Sequence, residues 1–289
     1  MQNRRTDLAV ESTEIIKATT GITSEKYTRN GFPVTAVCVT DSRTARELGK
    51  PVGTYVTLEL SKLKRRDSDA FSLAAYALSE ELSDLLCLRD NDSVLVVGLG
   101  NRAVSPDAIG PETIKNILVT NHLPSSNSFS RLRRVCALEA GVVGTTGIES
   151  ARLVHAVTGN VTPDRVIVVD ALASRRLERL CATVQLTDTG IIPGSGVGSS
   201  RAEISKATLG VPVVAIGVPT VVDTGTLAAD ILEQSGVADI PDLSNFSGMV
   251  VTPRDIDESV ADFSKLIGYA INLALTPELN IDDITMLLG

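Results

Sequence analysis

Three acidic segments at the ends of apolar runs hold the residues of this chain best suited to chemistry. They are Gly98-Leu-Gly-Asn101 with Ser105-Pro-Asp107-Ala-Ile-Gly110-Pro, then Val168-Val-Asp170-Ala-Leu-Ala173, then Thr187-Asp188-Thr-Gly-Ile-Ile-Pro-Gly194-Ser-Gly196-Val-Gly198. In a three-layer α/β fold a strand end opens on a crevice, where a carboxylate can be held rigidly and partly desolvated beside a second one. Two such aspartates can share a proton and activate water, one as base and one as acid. Asp107, Asp170 and Asp188 are therefore the candidate catalytic residues. Each also has a plain structural reading: a helix cap for Asp107, the end of a buried strand for Asp170, an Asx-turn for Asp188. Their shared glycine-rich surroundings favour a carboxylate site.

Other chemistries fit less well. Gly98-Leu-Gly-Asn-Arg-Ala103 matches the G-x-G-x-x-A of a dinucleotide site, but Pro106 and Gly110-Pro111 interrupt the helix that should follow, and no acid stands at the ribose position within 118–121. The 193–198 loop lacks the lysine of a P-loop; it reads equally as a tight turn and as a wall of backbone N–H groups for an extended substrate or an oxyanion. Gly194, Gly196 and Gly198 are candidate substrate-binding positions, together with Asn101 and Arg201. Arg102 and Arg175 are further arginines that can pair with an acidic substrate side chain. Ser195 sits in Pro-Gly-Ser-Gly, not in a G-x-S-x-G elbow, and of the two histidines His155 reads as packed within an apolar helix and His122 as a loop residue. Asp188-Thr-Gly repeats the triplet of pepsin-like proteases, whose β fold the α/β pattern excludes. The four cysteines are scattered among apolar residues like reduced core cysteines, without metal-ligand spacing, so neither metal nor cofactor is expected.

Composition narrows the partners. With 289 residues, 43% hydrophobic, 3% aromatic and no Trp, the core must be aliphatic, as in helices packed on a largely parallel sheet. A formal charge of −8 excludes an electrostatic footprint for nucleic acid or anionic membrane. The basic run 62–66 reads as a solvated loop. No apolar run approaches the roughly 18 residues needed to span a bilayer, and the N-terminus lacks a secretory core, which implies a cytoplasmic protein.

The elements that must position these residues follow from periodicity. Helices are predicted over 8–19, 68–88, 111–119, 146–158, 223–234 and 255–275, and strands over 33–40, 93–98, 165–170, 182–186 and 211–217. The stretch 20–32 reads as loop, and 121–134 as a surface excursion. The expected fold is three-layer α/β/α with a mixed, largely parallel sheet, closed by C-terminal helices.

With these motifs assembled, the chain resembles the germination protease family of spore-forming bacteria over most of its length. The supporting stretches are Arg5-Thr-Asp-Leu-Ala-Val-Glu11, Gly98-Leu-Gly-Asn101, Pro106-Asp-Ala-Ile-Gly-Pro111, Gly144-Thr-Thr-Gly-Ile-Glu149, Asp170-Ala-Leu-Ala173, the 187–198 loop, and Ile216-Gly-Val-Pro-Thr-Val-Val-Asp223. The resemblance implies an endopeptidase that degrades small acid-soluble spore proteins. It further implies a zymogen activated by its own N-terminal cleavage, a homotetramer in the cytoplasm of the spore core, and a fold similar to hydrogenase maturation peptidases. It maps the catalytic pair to Asp107 and Asp170 and leaves Asp188 in reserve. Thr6-Asp-Leu-Ala-Val-Glu11 is similar to the Thr-Glu-apolar-Ala-Ser-Glu cleavage motif of the family's substrates. Processing is therefore expected between Asp7 and Leu8, leaving a propeptide 1–7 and one peptidase domain 8–289. Two other readings stay open: a nucleotide-binding α/β oxidoreductase and a non-catalytic binder of spore proteins.

Overall fold

A computed structural model describes residues 6–16, 20–61, 63, 69–123, 132–195, 201–237, 241, 243–246 and 248–289. Its strands are β1 (Ile22–Arg29), β2 (Phe32–Val39), β3 (Gly53–Glu59), β4 (Val94–Leu99), β5 (Val135–Gly141), β6 (Arg165–Ala173), β7 (Thr183–Thr187), β8 (Val213–Asp223) and β9 (Val250–Val251). The helices are α1 (Ala9–Ile16), α2 (Ser42–Leu48), α3 (Ala70–Leu86), α4 (Ile109–Ile114), α5 (Val143–Thr146), α6 (Ser150–Val161), α7 (Lys206–Leu209), α8 (Thr224–Gln234), α9 (Ile256–Leu275) and α10 (Ile281–Leu288).

The strands form one sheet in the order β1-β2-β3-β7-β8-β6-β4-β5, with β9 paired on β8. β5, β4, β6 and β8 run parallel, because α4 and α6 return the chain between β4, β5 and β6, and the antiparallel β7 returns it between β6 and β8. From β8 outward through β7, β3, β2 and β1 every pairing is antiparallel. The sheet is thus mixed, with a larger antiparallel part than the aliphatic runs suggest.

Helices cover both faces. On one, Leu78, Leu82 and Leu86 of α3 and Phe263, Leu266 and Ile267 of α9 join Val96, Ile167, Val169, Val184 and Ile216 in a single apolar cluster. On the other, Ala151 and Val154 of α6 pack on Val97, Val166 and Val168, while Ala9 of α1 and Leu48 of α2 pack on Val37 and Tyr55. Each fully buried Leu or Ile contributes about 1.5–3 kcal/mol, so these layers hold the strand ends in fixed register. That register matters for the site. Asp170 of β6 and Gln185 of β7 both lie opposite Gly217 of β8, which places the two side chains on one face, two strands apart.

Several expectations change. The stretch expected as loop contains β1, an edge strand whose Thr23, Ser24, Glu25 and Lys26 are exposed and therefore give no apolar signal. It joins β2 through Asn30 (φ 47°) and Gly31 (φ 83°), the left-handed pair of a two-residue hairpin, an Asn-Gly signal present in the sequence. β3 and β5 were not anticipated. The helix expected over 146–158 begins at Ser150, because Gly147 (φ 69°) ends a separate one-turn helix, α5. That expected over 111–119 is only Ile109–Ile114. His155 is exposed on α6 and not packed, and of the four cysteines only Cys181 is buried. Most of the basic run 62–66 lies outside the described residues.

Candidate active site

The turn after β4 is shaped by glycines that allow backbone to approach backbone. A Cβ on Gly98 would lie 2.4 Å from the Gly110 carbonyl oxygen, and one on Gly110 would lie 2.2 Å from that of Leu99. α4 can therefore rest directly on the ends of the parallel strands. Gly100 (φ 108°) turns the chain where a Cβ would strike the Asp107 carbonyl oxygen at 2.0 Å. The loop closes on itself: Asn101 N–H donates to the carbonyl oxygen (3.0 Å) and to Oδ2 (2.9 Å) of Asp107. Thr220 Oγ1 of β8 donates to the Pro106 carbonyl at 2.7 Å and ties the loop down. Asp107 ends half-buried at the tip of a short 3-10 turn, Ser105–Asp107, where a dinucleotide site would need a helix to open at once.

Asp170 stands near the end of β6, the strand beside β4, and is only 5% exposed. Ala171 N–H donates to its Oδ1 at 2.9 Å. Asp107 and Asp170 line one cleft of about 290 Å³, together with Gly100, Leu172, Gly194, Arg201 and Asp7. Burial pushes the Asp107 carboxyl up, opposed by the Asn101 N–H and by the Arg201 charge. Asp170 is raised well above the ordinary range, first by burial and then by the negative charge of Asp107; Asp7 adds to this, while the Ala171 N–H and Arg201 oppose it. The repulsion thus falls on the deeper group. Burial favours the protonated form of both carboxyls, and the Asp107 charge adds to this at Asp170.

The N-terminal segment lies across this cleft. Asp7 N–H donates to the Ala173 carbonyl (2.9 Å), and Ala173 N–H returns a bond to Asp7 Oδ2 (2.8 Å), extending the end of β6. Ser195 Oγ donates to Asp7 Oδ1 at 2.6 Å. The Asp7 carbonyl oxygen accepts from Lys50 Nζ (2.9 Å) and from Gln185 Nε2 (3.1 Å), while Ala9 N–H donates to Gln185 Oε1 (2.7 Å). Leu8 and Ala9 are buried, and Glu11, 0% exposed, accepts from the N–H groups of Arg175 (2.6 Å) and Arg176 (3.1 Å) and from Thr6 Oγ1 (2.5 Å), with Arg179 at 3.6 Å. Burial raises the Glu11 carboxyl despite those donors. Asp7 and Glu11 are thus both read by backbone donors, the geometry of recognition for a segment with acids four residues apart.

Of the positions singled out in the sequence, Asp107, Asp170, Gly194, Arg201 and Asp7 come together, with Leu8 buried next in the chain. Asn101 serves through its backbone, and its side chain turns away to accept from Ala103 N–H. Asp188 stands apart: it is exposed, and its Oδ1 accepts from Thr54 N–H (2.8 Å) at the end of β3. Gly196 and Gly198 lie outside the described residues. Arg102 is engaged by Glu139 and Glu112, and the Arg175 side chain by Asp230 and Glu233. Lys50 and Gln185 were missed, since a lone Lys after a helix and a Gln within a strand have no sequence signature. Among the described residues no three His, Cys, Asp or Glu side chains cluster as a metal site, and no helix is long and apolar enough to cross a membrane.

An α/β sheet with one carboxylate near the end of β6 and another in the turn after the neighbouring parallel strand β4, in a cleft that the chain's own Asp7 also lines, has the groups that acid–base hydrolysis requires. Comparison with known proteins narrows that to a family. The family model "Germination protease" matches residues 2–234, and the chain belongs to that family of peptidases. Germination proteases of Caldanaerobacter subterraneus subsp. tengcongensis and Clostridium tetani are 41% and 39% identical, over 98% and 99% of both chains respectively. That of Oceanobacillus iheyensis is 43% identical over 79% of this chain and 66% of its own. Among solved structures, the NiFe hydrogenase maturation protease HycI of Thermococcus kodakarensis aligns with a TM-score of 0.38 at 16% identity, covering 66% of this chain and 98% of its own. Family membership replaces the oxidoreductase reading.

Proposed function

We propose that this chain is an endopeptidase that initiates degradation of small acid-soluble spore proteins during germination, and that it is made as a zymogen cut between Asp7 and Leu8. Residues 1–7 are then a propeptide, and 8–289 the mature peptidase domain. One observation carries the reading: Asp7, the acid of a substrate-like Thr-Asp-Leu-Ala-Val-Glu segment, lines the same cleft as Asp107 and Asp170. A tethered segment of substrate type occupies a site at high effective concentration and blocks other substrates until it is cut and released.

In the mechanism, Asp107, ionised, takes a proton from water as the water oxygen adds to the carbonyl carbon of Asp7 or of the equivalent substrate acid. Asp170, protonated, then gives its proton to the leaving nitrogen. The proton left on Asp107 restores a dyad holding one proton. Arg201, whose charge opposes the upward shift of both aspartates, keeps the site from taking up a second proton. The homotetramer and the spore-core cytoplasm implied by the family resemblance belong to the same reading; a sedimentation mass other than that of four copies would remove the first.

The test is mass spectrometry of a small acid-soluble spore protein incubated with chain beginning at Leu8, beside the variants Asp107→Asn and Asp170→Asn. Fragments that end at an acidic residue and are lost in both variants support the reading. Equal cleavage by the variants moves the chemistry elsewhere. Binding without fragments from any form leaves a binder of spore proteins.

A further inference from the structure

Two donors converge on one carbonyl oxygen, and that carbonyl belongs to the bond proposed to be cut. Their placement follows from local structure. Asp41 caps the start of α2 by accepting from the N–H groups of Arg43 and Thr44, and Gly49 (φ 64°) ends the helix in the left-handed conformation. Lys50 N–H then donates back to the Ala45 carbonyl at 3.0 Å, completing the tight C-terminal turn that carries Lys50 past the helix end to the N-terminal segment. Its ammonium bonds the carbonyls of Thr6 (3.1 Å) and Asp7 (2.9 Å). Gln185 comes from the sheet, on the same face as Asp170 and separated from it by Gly217, whose missing Cβ leaves room for the Leu172 side chain. Its amide straddles the bond, with Nε2 on the Asp7 carbonyl and Oε1 on Ala9 N–H. Lys50 and Gln185 line a second cavity, which meets the aspartate cleft at Asp7 and Leu172.

We propose that Lys50 and Gln185 are the oxyanion-binding residues of this peptidase, donating to the carbonyl oxygen of the scissile bond. The inference rests on the proposed cleavage after Asp7. When the water oxygen bonds to the Asp7 carbonyl carbon and its proton passes to Asp107, the carbonyl π pair moves onto oxygen. That negative charge is received by the Lys50 ammonium and the Gln185 N–H. The pair returns as the C–N bond breaks, and the Leu8 nitrogen takes the proton of Asp170. A fixed cation and a fixed amide aimed at the developing charge need no reorganisation during the reaction, which is why such donors matter most in the transition state. Gln185 also holds Ala9 N–H, so the bond is fixed on both sides while it is cut.

The experiment follows release of an N-terminal Leu8 from the full-length chain by mass spectrometry over time. In this intramolecular reaction the segment is already seated, so the first-order rate reports chemistry. Lys50→Met is expected to slow it by about 100-fold or more, the usual cost of losing one oxyanion donor. Gln185→Glu, which keeps the acceptor for Ala9 N–H and loses the donor to the carbonyl, is expected to slow it by at least about 10-fold. Seating is measured separately, by hydrogen exchange of residues 8–16 in the uncut Asp170→Asn background, and Lys50→Met is expected to leave that protection unchanged. Either of two results overturns the inference: processing within threefold of the unsubstituted chain, or loss of protection over 8–16, which would make Lys50 only a clamp. An unsubstituted chain that never exposes Leu8 removes the self-cleavage reading instead.

Discussion

The ends of β6 and β7 look alike in sequence and differ in what they can do. Each carries buried aliphatic residues up to an aspartate, Val166 to Val169 before Asp170 in one, Val184 and Leu186 before Asp188 in the other. β6 lies in the parallel half of the sheet, so its end opens on the crevice that α4 and the turn after β4 also reach. β7 runs antiparallel to β8, so the three residues from Gln185 to Asp188 travel back toward the opposite edge, about 10 Å at the usual rise of a strand. There Asp188 pairs with the end of β3 in the open. Strand direction, invisible in an apolar run, separates a buried coupled carboxylate from a surface turn.

The comparison is broken most directly by exchanging charge at both ends. Asp170→Asn is expected to reduce peptide-bond cleavage by about 1,000-fold or more, in the upper part of the range for general acid–base groups, while Asp188→Asn changes it less than threefold. Initial rates on a spore-protein substrate measure both, and a large loss at Asp188 would reverse the assignment. The next effect is at Gly100→Ala. The methyl would meet the Asp107 carbonyl oxygen at 2.0 Å in a left-handed backbone, so a loss of about 2–4 kcal/mol is expected, with loss of activity. Gly31→Ala, at φ 83° with nothing within 4 Å, should cost only about 1 kcal/mol; equal melting shifts for the two would refute the close-approach argument.

The pH profile sharpens the contrast further. On the proposed mechanism, activity needs Asp107 ionised and Asp170 protonated, so it should rise with pH through the lower pKa of the pair and fall through the higher one. Both groups are shifted upward, so the bell is centred above the range of ordinary carboxylates. A rate that does not fall on the alkaline side would exclude Asp170 as the acid. The smallest effect concerns stability. A carboxyl whose pKa is raised on folding contributes fully below its unfolded value and loses that contribution as pH rises through the folded one. Asp170→Asn should therefore stabilise the fold at neutral pH, a gain that disappears toward about pH 4. Asp188→Ala should instead lose about 0.5 kcal/mol with its bond to Thr54 N–H. Urea unfolding across pH checks both.

The sequence made legible the parts of the molecule that repeat a physical pattern. α9 and α3 show apolar residues at three and four, and β6 is an uninterrupted aliphatic run, so each was recognisable. β1 was hidden because an edge strand with exposed polar residues reads as loop. Asp107 and Asp170 stood out through their glycine-rich neighbours, yet the register that sets Gln185 opposite Gly217 depends on pairing between distant strands. Lys50 was hidden for a different reason. Its role comes from the turn at the end of α2, which aims an ordinary surface residue type at a carbonyl more than forty positions away.

The burial of Glu11 sets a condition on the mature protein. Leu8 to Glu11 sit on the leaving-group side of the proposed cut and keep their own attachments to β7 and the Arg175–Arg176 backbone. On the proposed cut, Asp7, the N-terminal residue that lines the aspartate cleft, would leave with residues 1–7, while Leu8 to Glu11 would stay joined to the protein and occupy the positions after the cut that an incoming chain needs. Under that proposal, cutting and becoming available for work are separate events, and the second waits on how fast Leu8 to Glu11 give up those attachments.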